Sequence, residues 1–298
     1  MTRFLQATVE GLSLASIYAL LALGFVIIYK SSQVLSFAQP AFLMVGGYAT
    51  SYIAVTMGVN FWLSVVLGVS VAALLAATFE RVAVRPMVGK PVFSVAILTI
   101  GLDISTRVAV DDLIGVNIRS VGDPWGFNTF KLFDAVVQTR AVAMIVATIV
   151  VVALLAAFFR YSRTGLAMRA TALDQETSLV QGISVGRIFA LAWLLGGALA
   201  GLAGMFSATG LGGLSQSNYL LALKALPAVV VGGLDSVSGA VVGALIIGLA
   251  EAYTASYQGE FLPFLGSNFS QVVPYVVMVL VLLVRPYGLF GTKEVVRV

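Results

Sequence analysis

The sequence contains no histidine and no cysteine, and charged residues make up only 10% of its 298 residues. The two absences exclude disulfides, thiol and imidazole catalysis, and the commonest zinc and iron ligands. We therefore expect no catalytic residue, no metal and no cofactor in this chain. Soluble domains carry about 25% charged residues, whereas 60% of this chain is hydrophobic. Too few charges remain to cover a water-exposed surface, so the composition predicts a protein embedded in lipid.

Eight apolar stretches are long enough, at about 20 residues, to cross the hydrocarbon core as helices. They are residues 8–29, 40–57, 61–79, 92–110, 141–159, 188–210, 236–256 and 271–289. A ninth stretch, 218–233, is shorter and contains Lys224 and Pro227. It predicts a broken or re-entrant helix, which is tolerated only where protein or water surrounds it. We expect an all-α polytopic membrane protein, with eight transmembrane helices and one short broken helix in a single domain over residues 1–298.

The basic residues outside the apolar stretches fall mainly on one side of the membrane. That side holds 11 basic and 4 acidic residues, and the other holds 4 basic and 6 acidic ones. Because Lys and Arg accumulate in cytoplasmic loops, the first side is predicted to be cytoplasmic. The C-terminal Arg285, Lys293 and Arg297 lie on this cytoplasmic side only if segment 218–233 counts as a crossing or as a re-entrant piece that changes the side on which the chain continues. We therefore expect the N-terminus outside and the C-terminus in the cytoplasm.

Small residues recur at helical spacing in two of the predicted spans. In lipid, apolar faces give no net drive for helix association, so small residues that allow close backbone approach supply the contact. The pattern predicts helix-packing stripes in a compact bundle. The glycines that form these stripes are Gly197, Gly201, Gly204, Gly239 and Gly243.

The longest charged cytoplasmic loop, about 160–187, contains an amphipathic pattern. Its apolar positions recur at steps of three and four residues between Gly165 and Gly182. The pattern predicts one cytoplasmic helix bounded by the two glycines, with a shape suited to docking on a partner protein. The alternative is a helix that lies on lipid headgroups. Asp174 and Glu176 count against it, because such helices favour a polar face rich in Lys and Arg.

Three ordered sequence blocks carry a family resemblance: Gly11–Gly24 with Ser36–Gln39, Thr164–Val185 with Ala198–Gly204, and Lys224–Gly243. Together they resemble the branched-chain amino acid permeases of the ATP-binding cassette importers, and the chain is similar in size to the shorter of the two paired permeases. One departure follows Gln39, where the family usually has glycine and an acidic residue and this chain has Pro40 and Ala41. Proline kinks or caps a helix start where glycine would allow close approach.

The resemblance implies an importer subunit in the bacterial plasma (inner) membrane. A solute-binding protein would deliver a branched-chain or related amino acid outside, and a second homologous permease would complete a heterodimer. Two cytoplasmic ATPase subunits would hydrolyse ATP, since Gly89-Lys90 in this chain lacks the upstream glycine of a phosphate-binding loop. The lipid bilayer is the remaining partner, and no nucleic acid is expected.

The resemblance also assigns the cytoplasmic helix to coupling with an ATPase subunit. Arg169, Asp174 and Glu176 would make the polar contacts in a groove of the ATPase. Leu173 would fill that groove, and Gly182 would end the helix.

Polar residues inside the apolar stretches are candidates for the translocation pathway, because an unpaired charge there costs several kcal/mol. Asp103 and Arg107 lie four residues apart and can neutralise each other on one helix face, or Asp103 can line the pathway. The polar segment with Ser36, Phe37 and Gln39 is either a pathway lining or an inside loop.

Two other functions stay open. Asp103 and Glu251 motivate an ion-coupled secondary transporter, although Lys224, Asp235 and Glu251 can equally be snorkelling or interfacial anchors. An intramembrane enzyme would need a nucleophile and a base at suitable spacing, and no such spacing is evident.

Overall fold

The computed structural model describes residues 2–87, 90–115, 117–132, 135–261, 264, 266 and 268–292. Within them the helices are α1 (Thr2–Ser32), α2 (Gln39–Ser51), α3 (Phe61–Phe79), α4 (Val92–Ile114), α5 (Thr139–Tyr161), α6 (Arg163–Leu173), α7 (Gln175–Val180), α8 (Val185–Ser207), α9 (Tyr219–Gly232), α10 (Val237–Phe261) and α11 (Val273–Val284). An antiparallel hairpin pairs β1 (Thr129–Leu132) with β2 (Ala135–Gln138). Some charges used to predict the orientation, Asp134, Lys293, Glu294 and Arg297, lie outside the described residues.

Six described helices are long and apolar enough to cross a membrane: α1, α3 with its extension to Met87, α4, α5, α8 and α10. They confirm the all-α polytopic fold, but the predicted number of eight spans is not confirmed. The stretch 40–57 forms the 13-residue α2 and a π turn, Tyr52–Thr56, and 271–289 forms only the 12-residue α11. Both helices have proline in the first turn, which fixes a late helix start because proline lacks the N–H.

The short ninth stretch forms α9, a helix of 14 residues with Pro227 in its interior. This agrees with the prediction of a short broken helix. Two π or 3-10 segments, Glu80–Val84 and Arg85–Met87, extend α3. No sequence pattern predicted the hairpin of β1 and β2, which lies between α4 and α5.

Helix α1 lies at the centre of the bundle. It packs against α10, α8, α9 and α5, and 83% of its apolar window is buried. The outer faces of α3, α4 and α5 instead expose many large apolar side chains, such as Trp62, Phe93 and Leu154. Such faces suit hydrocarbon rather than water, so α3, α4 and α5 form the lipid-facing part of the bundle.

Glycines bring α2 and α8 into direct backbone contact. A Cβ at Gly46 would overlap the Cα of Gly201, and a Cβ at Gly204 would overlap the carbonyl oxygen of Leu43. Gly197 lies equally close to Ala76 of α3. Only hydrogen fits at these positions, so α8 packs between α2 and α3 at the shortest distance that two helices can reach.

Helices α9 and α10 meet in the same way, with no side chain between their backbones. Gly239 faces the carbonyl of Gly232, and Gly243 faces the carbonyl of Ala228. The pair forms a tight hairpin around the turn that follows α9.

The segment predicted to be cytoplasmic differs from its prediction. The expected single helix between Gly165 and Gly182 is two helices, α6 and α7, broken at Asp174. The Asp174 side chain accepts the N–H of Thr177 at 3.0 Å and starts a new helix as its N-cap. An N-cap residue has non-helical backbone angles, so the chain turns there and α7 leaves the direction of α6.

Candidate functional site

The helical structure is interrupted between α1 and α2, and side chains of α4 form hydrogen bonds with the backbone there. The N–H of Phe37 donates to Thr99 Oγ1 at 3.1 Å, and the N–H of Ala41 donates to Asp103 Oδ1 at 2.8 Å. The first N–H groups of a helix have no partner within it, and Ala38 supplies no side-chain cap. Asp103 therefore caps α2 from a neighbouring helix, with its negative charge at the positive end of the α2 dipole.

Asp103 also forms an ion pair within α4, as its spacing from Arg107 predicted. Arg107 Nε donates to Asp103 Oδ2 at 2.8 Å, and the guanidinium lies 4.2 Å from the centre of the Tyr219 ring, at the start of α9. The network thus joins α2, α4 and α9. It also places a carboxylate at the start of α2, although Ala41 stands where the family usually has an acidic residue.

The other predicted pathway residues lie at the same break. Ser36 is buried, and its hydroxyl accepts the N–H of Ala38 at 3.4 Å. Gln39 is 0% exposed, yet neither its amide nitrogen nor its amide oxygen has a hydrogen-bond partner among the described residues. Its amide lies beside Gly24 of α1. Buried polar groups are almost always paired, so this unpaired amide is unusual for its depth in the bundle.

A second buried ion pair joins α9 to α10, next to α1. Lys224 of α9 donates to Glu251 Oε1 of α10 at 2.5 Å, and Tyr18 of α1 donates to Glu251 Oε2 at 2.6 Å. The side chains of Lys224 and Glu251 are 13% and 10% exposed. They are therefore buried partners, which contradicts the snorkelling interpretation of both residues. The three groups connect the short helix α9 to α1 and α10.

A charged clamp on the predicted cytoplasmic side joins α3 to α8. The π turn Glu80–Val84 closes with the N–H of Arg85 on the carbonyl of Glu80, which brings two side chains five residues apart together. Arg85 Nε and Nη2 donate to the two oxygens of Glu80 at 2.9 Å each, and Nη2 also donates to the carbonyl of Gly186 at 2.6 Å. A bidentate pair of this kind is geometrically rigid.

Helices α6 and α7 expose an apolar surface, which we call the docking surface: Leu166, Leu173, Leu179 and Val180. Leu173 and Val180 are each 89% exposed. On the other side, Gly165, Met168 and Thr171 are buried against the bundle. The predicted coupling residues Arg169, Asp174, Glu176 and Gly182 are all exposed. Exposed apolar side chains surrounded by polar ones are typical of a protein contact surface.

The charge of Asp174 stabilises the start of α7. Its carboxylate accepts the Thr177 hydroxyl at 2.5 Å and the Thr177 N–H, and these hydrogen bonds lower the pKa of Asp174. Because the folded pKa lies below the unfolded one, the stabilisation is present above the unfolded pKa and is lost as the pH falls through the folded pKa. We expect Asp174→Ala to accelerate amide hydrogen exchange at Thr177 at neutral pH, and the difference should shrink as the pH falls through the pKa of Asp174.

The matched variant for this prediction is Asp174→Asn, which keeps a capping oxygen but not the charge. Exchange at Thr177 in Asp174→Asn should stay slower than in Asp174→Ala and should lose its pH dependence in the acidic range. Equal exchange rates in all three proteins would contradict an N-cap at Asp174.

Several residues of these sites were missed or misjudged from sequence. Tyr18 carried no signal, because an aromatic residue in an apolar span is most often a core residue. Glu80 and Arg85 counted only as loop charges. Their signal was an acidic residue at the end of an apolar run, followed five residues later by arginine.

The arrangement defines the class: a polytopic membrane protein with an interrupted helical segment between α1 and α2, paired charges inside the bundle and an exposed apolar surface on α6 and α7. The chain belongs to the family described as "Branched-chain amino acid transport system / permease component", whose model matches residues 7–282.

Relatives of this family match nearly the whole chain. The high-affinity branched-chain amino acid transport system permease protein LivH of Salmonella typhimurium is 32% identical, over 99% of this chain and 98% of its own length. The corresponding permease protein BraD of Pseudomonas aeruginosa is 31% identical, again over 99% of this chain and 98% of its own. Among solved structures, PsaBC from Streptococcus pneumoniae has a TM-score of 0.49 at 13% identity, covering 93% of this chain and 90% of that one.

Proposed function

We propose that the chain is one of two paired permease subunits of an ATP-driven importer for branched-chain amino acids. The main support is the family match over residues 7–282. The relatives of the chain are also named for branched-chain amino acid transport. In this proposal a binding protein delivers the solute outside, a second permease completes the pathway, and two ATPase subunits bind on the cytoplasmic side. The N-terminus lies outside and the C-terminus lies in the cytoplasm.

The docking surface supports the coupling part of the proposal. Helices α6 and α7 lead directly into α8, and Arg85 holds the carbonyl of Gly186 in the first turn of α8. Because Arg85 is also fixed to Glu80, a displacement of α6 and α7 by an ATPase reaches both α8 and α3. The close contact of α8 with α2 then transmits this displacement to α2 and to Gln39 at its start.

The charges inside the bundle disfavour ion coupling. Asp103 and Glu251, which motivated that alternative, are paired with Arg107 and Lys224. Neither acidic side chain is therefore a free carboxylate ready to carry a proton or sodium ion. Uptake of leucine into proteoliposomes that contain this chain, its partner permease, the ATPases and the binding protein tests the two functions. We expect uptake to require ATP, whereas uptake driven by a proton or sodium gradient without ATP would contradict the proposal.

The docking surface makes a specific prediction. Leu173→Asp should lower ATP-driven uptake at least about tenfold, because losing an apolar anchor at a protein contact costs about 1–2 kcal/mol or more. The substitution should leave the folded chain intact, since Leu173 is 89% exposed. Uptake and co-purification of the ATPases are measured together.

A matched control is Phe127→Asp, the same kind of change at an exposed apolar residue between α4 and β1, on the predicted outer side. It should change neither uptake nor ATPase binding. If Leu173→Asp also left both unchanged, α6 and α7 would not be the coupling segment.

A further inference from the structure

A cavity of about 550 Å³ opens on the side predicted to face outward. It lies between the first half of α1, strand β2, the start of α5 and the loop after α8, with Leu221 of α9 at its base. Ligand sites have volumes of about 300–1,000 Å³ and combine apolar walls with a few placed polar groups. The cavity has the size of such a site, and the proposed function leaves it without a role.

Two opposite charges line this cavity, Glu10 of α1 and Arg140 of α5. Among the described residues neither forms an ion pair, although four other pairs do form. Glu10 is exposed within the opening. A carboxylate and a guanidinium that share one cavity without an ion-pair partner are complementary to a ligand that carries both charges.

Arg140 is held in a fixed position. Its Nε donates to Gln138 Oε1 at 2.6 Å, and its Nη1 donates to the carbonyl of Thr209 at 2.8 Å. The guanidinium lies against Gly210, which has a φ of +72° and where a Cβ would overlap it. Of the five N–H donors of arginine, one on Nη1 and both on Nη2 remain free of these bonds. A fixed guanidinium with free donors suits a carboxylate, which it binds in a planar fork.

Beside neutral polar side chains such as Gln6, Ser13 and Thr129, the cavity has an apolar wall. Ile17 and Leu14 of α1, Met144 of α5, Phe206 of α8 and Leu221 of α9 line the cavity. They can surround an aliphatic side chain, and their burial of its methyl groups is favourable at about 0.8 kcal/mol for each buried CH₂.

We propose that this cavity is an outer binding site for a zwitterionic α-amino acid with an aliphatic side chain. Arg140 binds the carboxylate, Glu10 binds the ammonium group, and the apolar wall takes the side chain. The inference rests on the proposed function for the direction of transport. It goes beyond that function by naming where the solute is held in this chain before it passes inward.

Saturation-transfer NMR on the full chain in lipid nanodiscs tests the site, because the method detects weak ligands. The probes are L-leucine, leucinamide, which lacks the carboxylate, and 4-methylpentanoate, which lacks the ammonium group. We expect methyl signals from leucine, with affinity reduced about tenfold or more for each analogue, since hydrogen bonds to charged groups are strong. Equal signals from all three probes would overturn the proposal.

Variants assign the two charges. Glu10→Gln removes an exposed charge without a structural partner and should abolish the preference for leucine over 4-methylpentanoate. Arg140→Gln should abolish the preference for leucine over leucinamide. The matched controls are Arg3→Gln and Glu260→Gln, which break an ion pair outside the cavity, between the starting end of α1 and the end of α10. Both controls should bind leucine as the unchanged chain does.

Loss of the Arg140 contacts to the loop after α8 can also disturb folding. Ala141→Phe, which fills the cavity from its wall and leaves both charges in place, is therefore the second variant. It should remove the leucine signal, whereas full leucine binding in Ala141→Phe or in Glu10→Gln would overturn the site.

The proposed function and the proposed binding site can be rejected independently of each other. If proteoliposomes took up leucine with ATP and Glu10→Gln changed neither the KM of uptake nor the NMR signals, the cavity proposal would be overturned and the importer would stand. Leucine signals that depend on Glu10 and Arg140, in a chain whose complex gives no ATP-driven uptake, would support the site and reject the proposed function.

Discussion

Lys224→Met lowers the free energy of unfolding by about 3–5 kcal/mol, because it leaves the buried Glu251 carboxylate without its cation. Tyr18 still donates to Glu251, but a hydroxyl does not replace a full charge in an environment with no water. The loss also removes the only described ion pair between α9 and α10. Thermal unfolding of the purified chain in detergent, followed by tryptophan fluorescence, measures the change.

The double variant Lys224→Met with Glu251→Gln separates the charge from the shape of these side chains. Glutamine keeps an acceptor for Tyr18 and removes the unpaired charge, so the double variant should recover most of the lost stability. Replacing both partners of a buried pair by uncharged residues of similar volume is often close to neutral. A double variant as unstable as Lys224→Met would show that the loss does not come from the unpaired charge of Glu251.

Gly204→Ala is expected to destabilise the chain by about 1–3 kcal/mol, as overpacking does in a dense interior. We expect the upper end of that range because the added Cβ would meet the backbone carbonyl of Leu43, which cannot rotate away as a side chain can. The helices α2 and α8 must then separate, which also disturbs the neighbouring contact of Gly46 with Gly201. The same unfolding measurement applies.

Gly101→Ala on α4 is the matched control for this change. Nothing lies within 4 Å of a Cβ at Gly101, and glycine inside a helix is less favourable than alanine by about 0.5–1 kcal/mol. The same substitution should therefore stabilise the chain at position 101 and destabilise it at position 204. Two effects of the same sign would contradict the assigned helix contacts.

Hydropathy predicted the parts of the fold that depend on local composition. The six long helices follow from runs of about 20 apolar residues, and α9 from a run that is too short and contains Pro227. The end of a helix depends on particular side chains. Asp174 was interpreted as a partner contact, although an Asp followed by Thr three residues later is also an N-cap pattern, and that pattern divides α6 from α7.

The sites depend on contacts between residues far apart in sequence, and these could be predicted only in part. Asp103 and Arg107 are four residues apart, so helical periodicity predicted their pairing. The bond from Ala41 to Asp103 links positions 62 residues apart, and no pattern within either helix indicates it. Glu10 and Arg140 share a cavity only because α1 and α5 pack side by side, which a single sequence does not specify.

The central position of α1 affects how this protein is made. Helix α1 leaves the ribosome well before its partners α8, α9 and α10, which begin at Val185 and beyond. At synthesis rates of about 5–20 residues per second, α1 waits about 8–30 s in the bilayer for α8. Its apolar run, with a mean hydropathy of 2.3, is stable alone in lipid during that interval, whereas Tyr18 has no acceptor until Glu251 arrives. Assembly of the core is therefore a late, post-insertion event, and chains that end before α10 lack the surfaces that would bury their first helix.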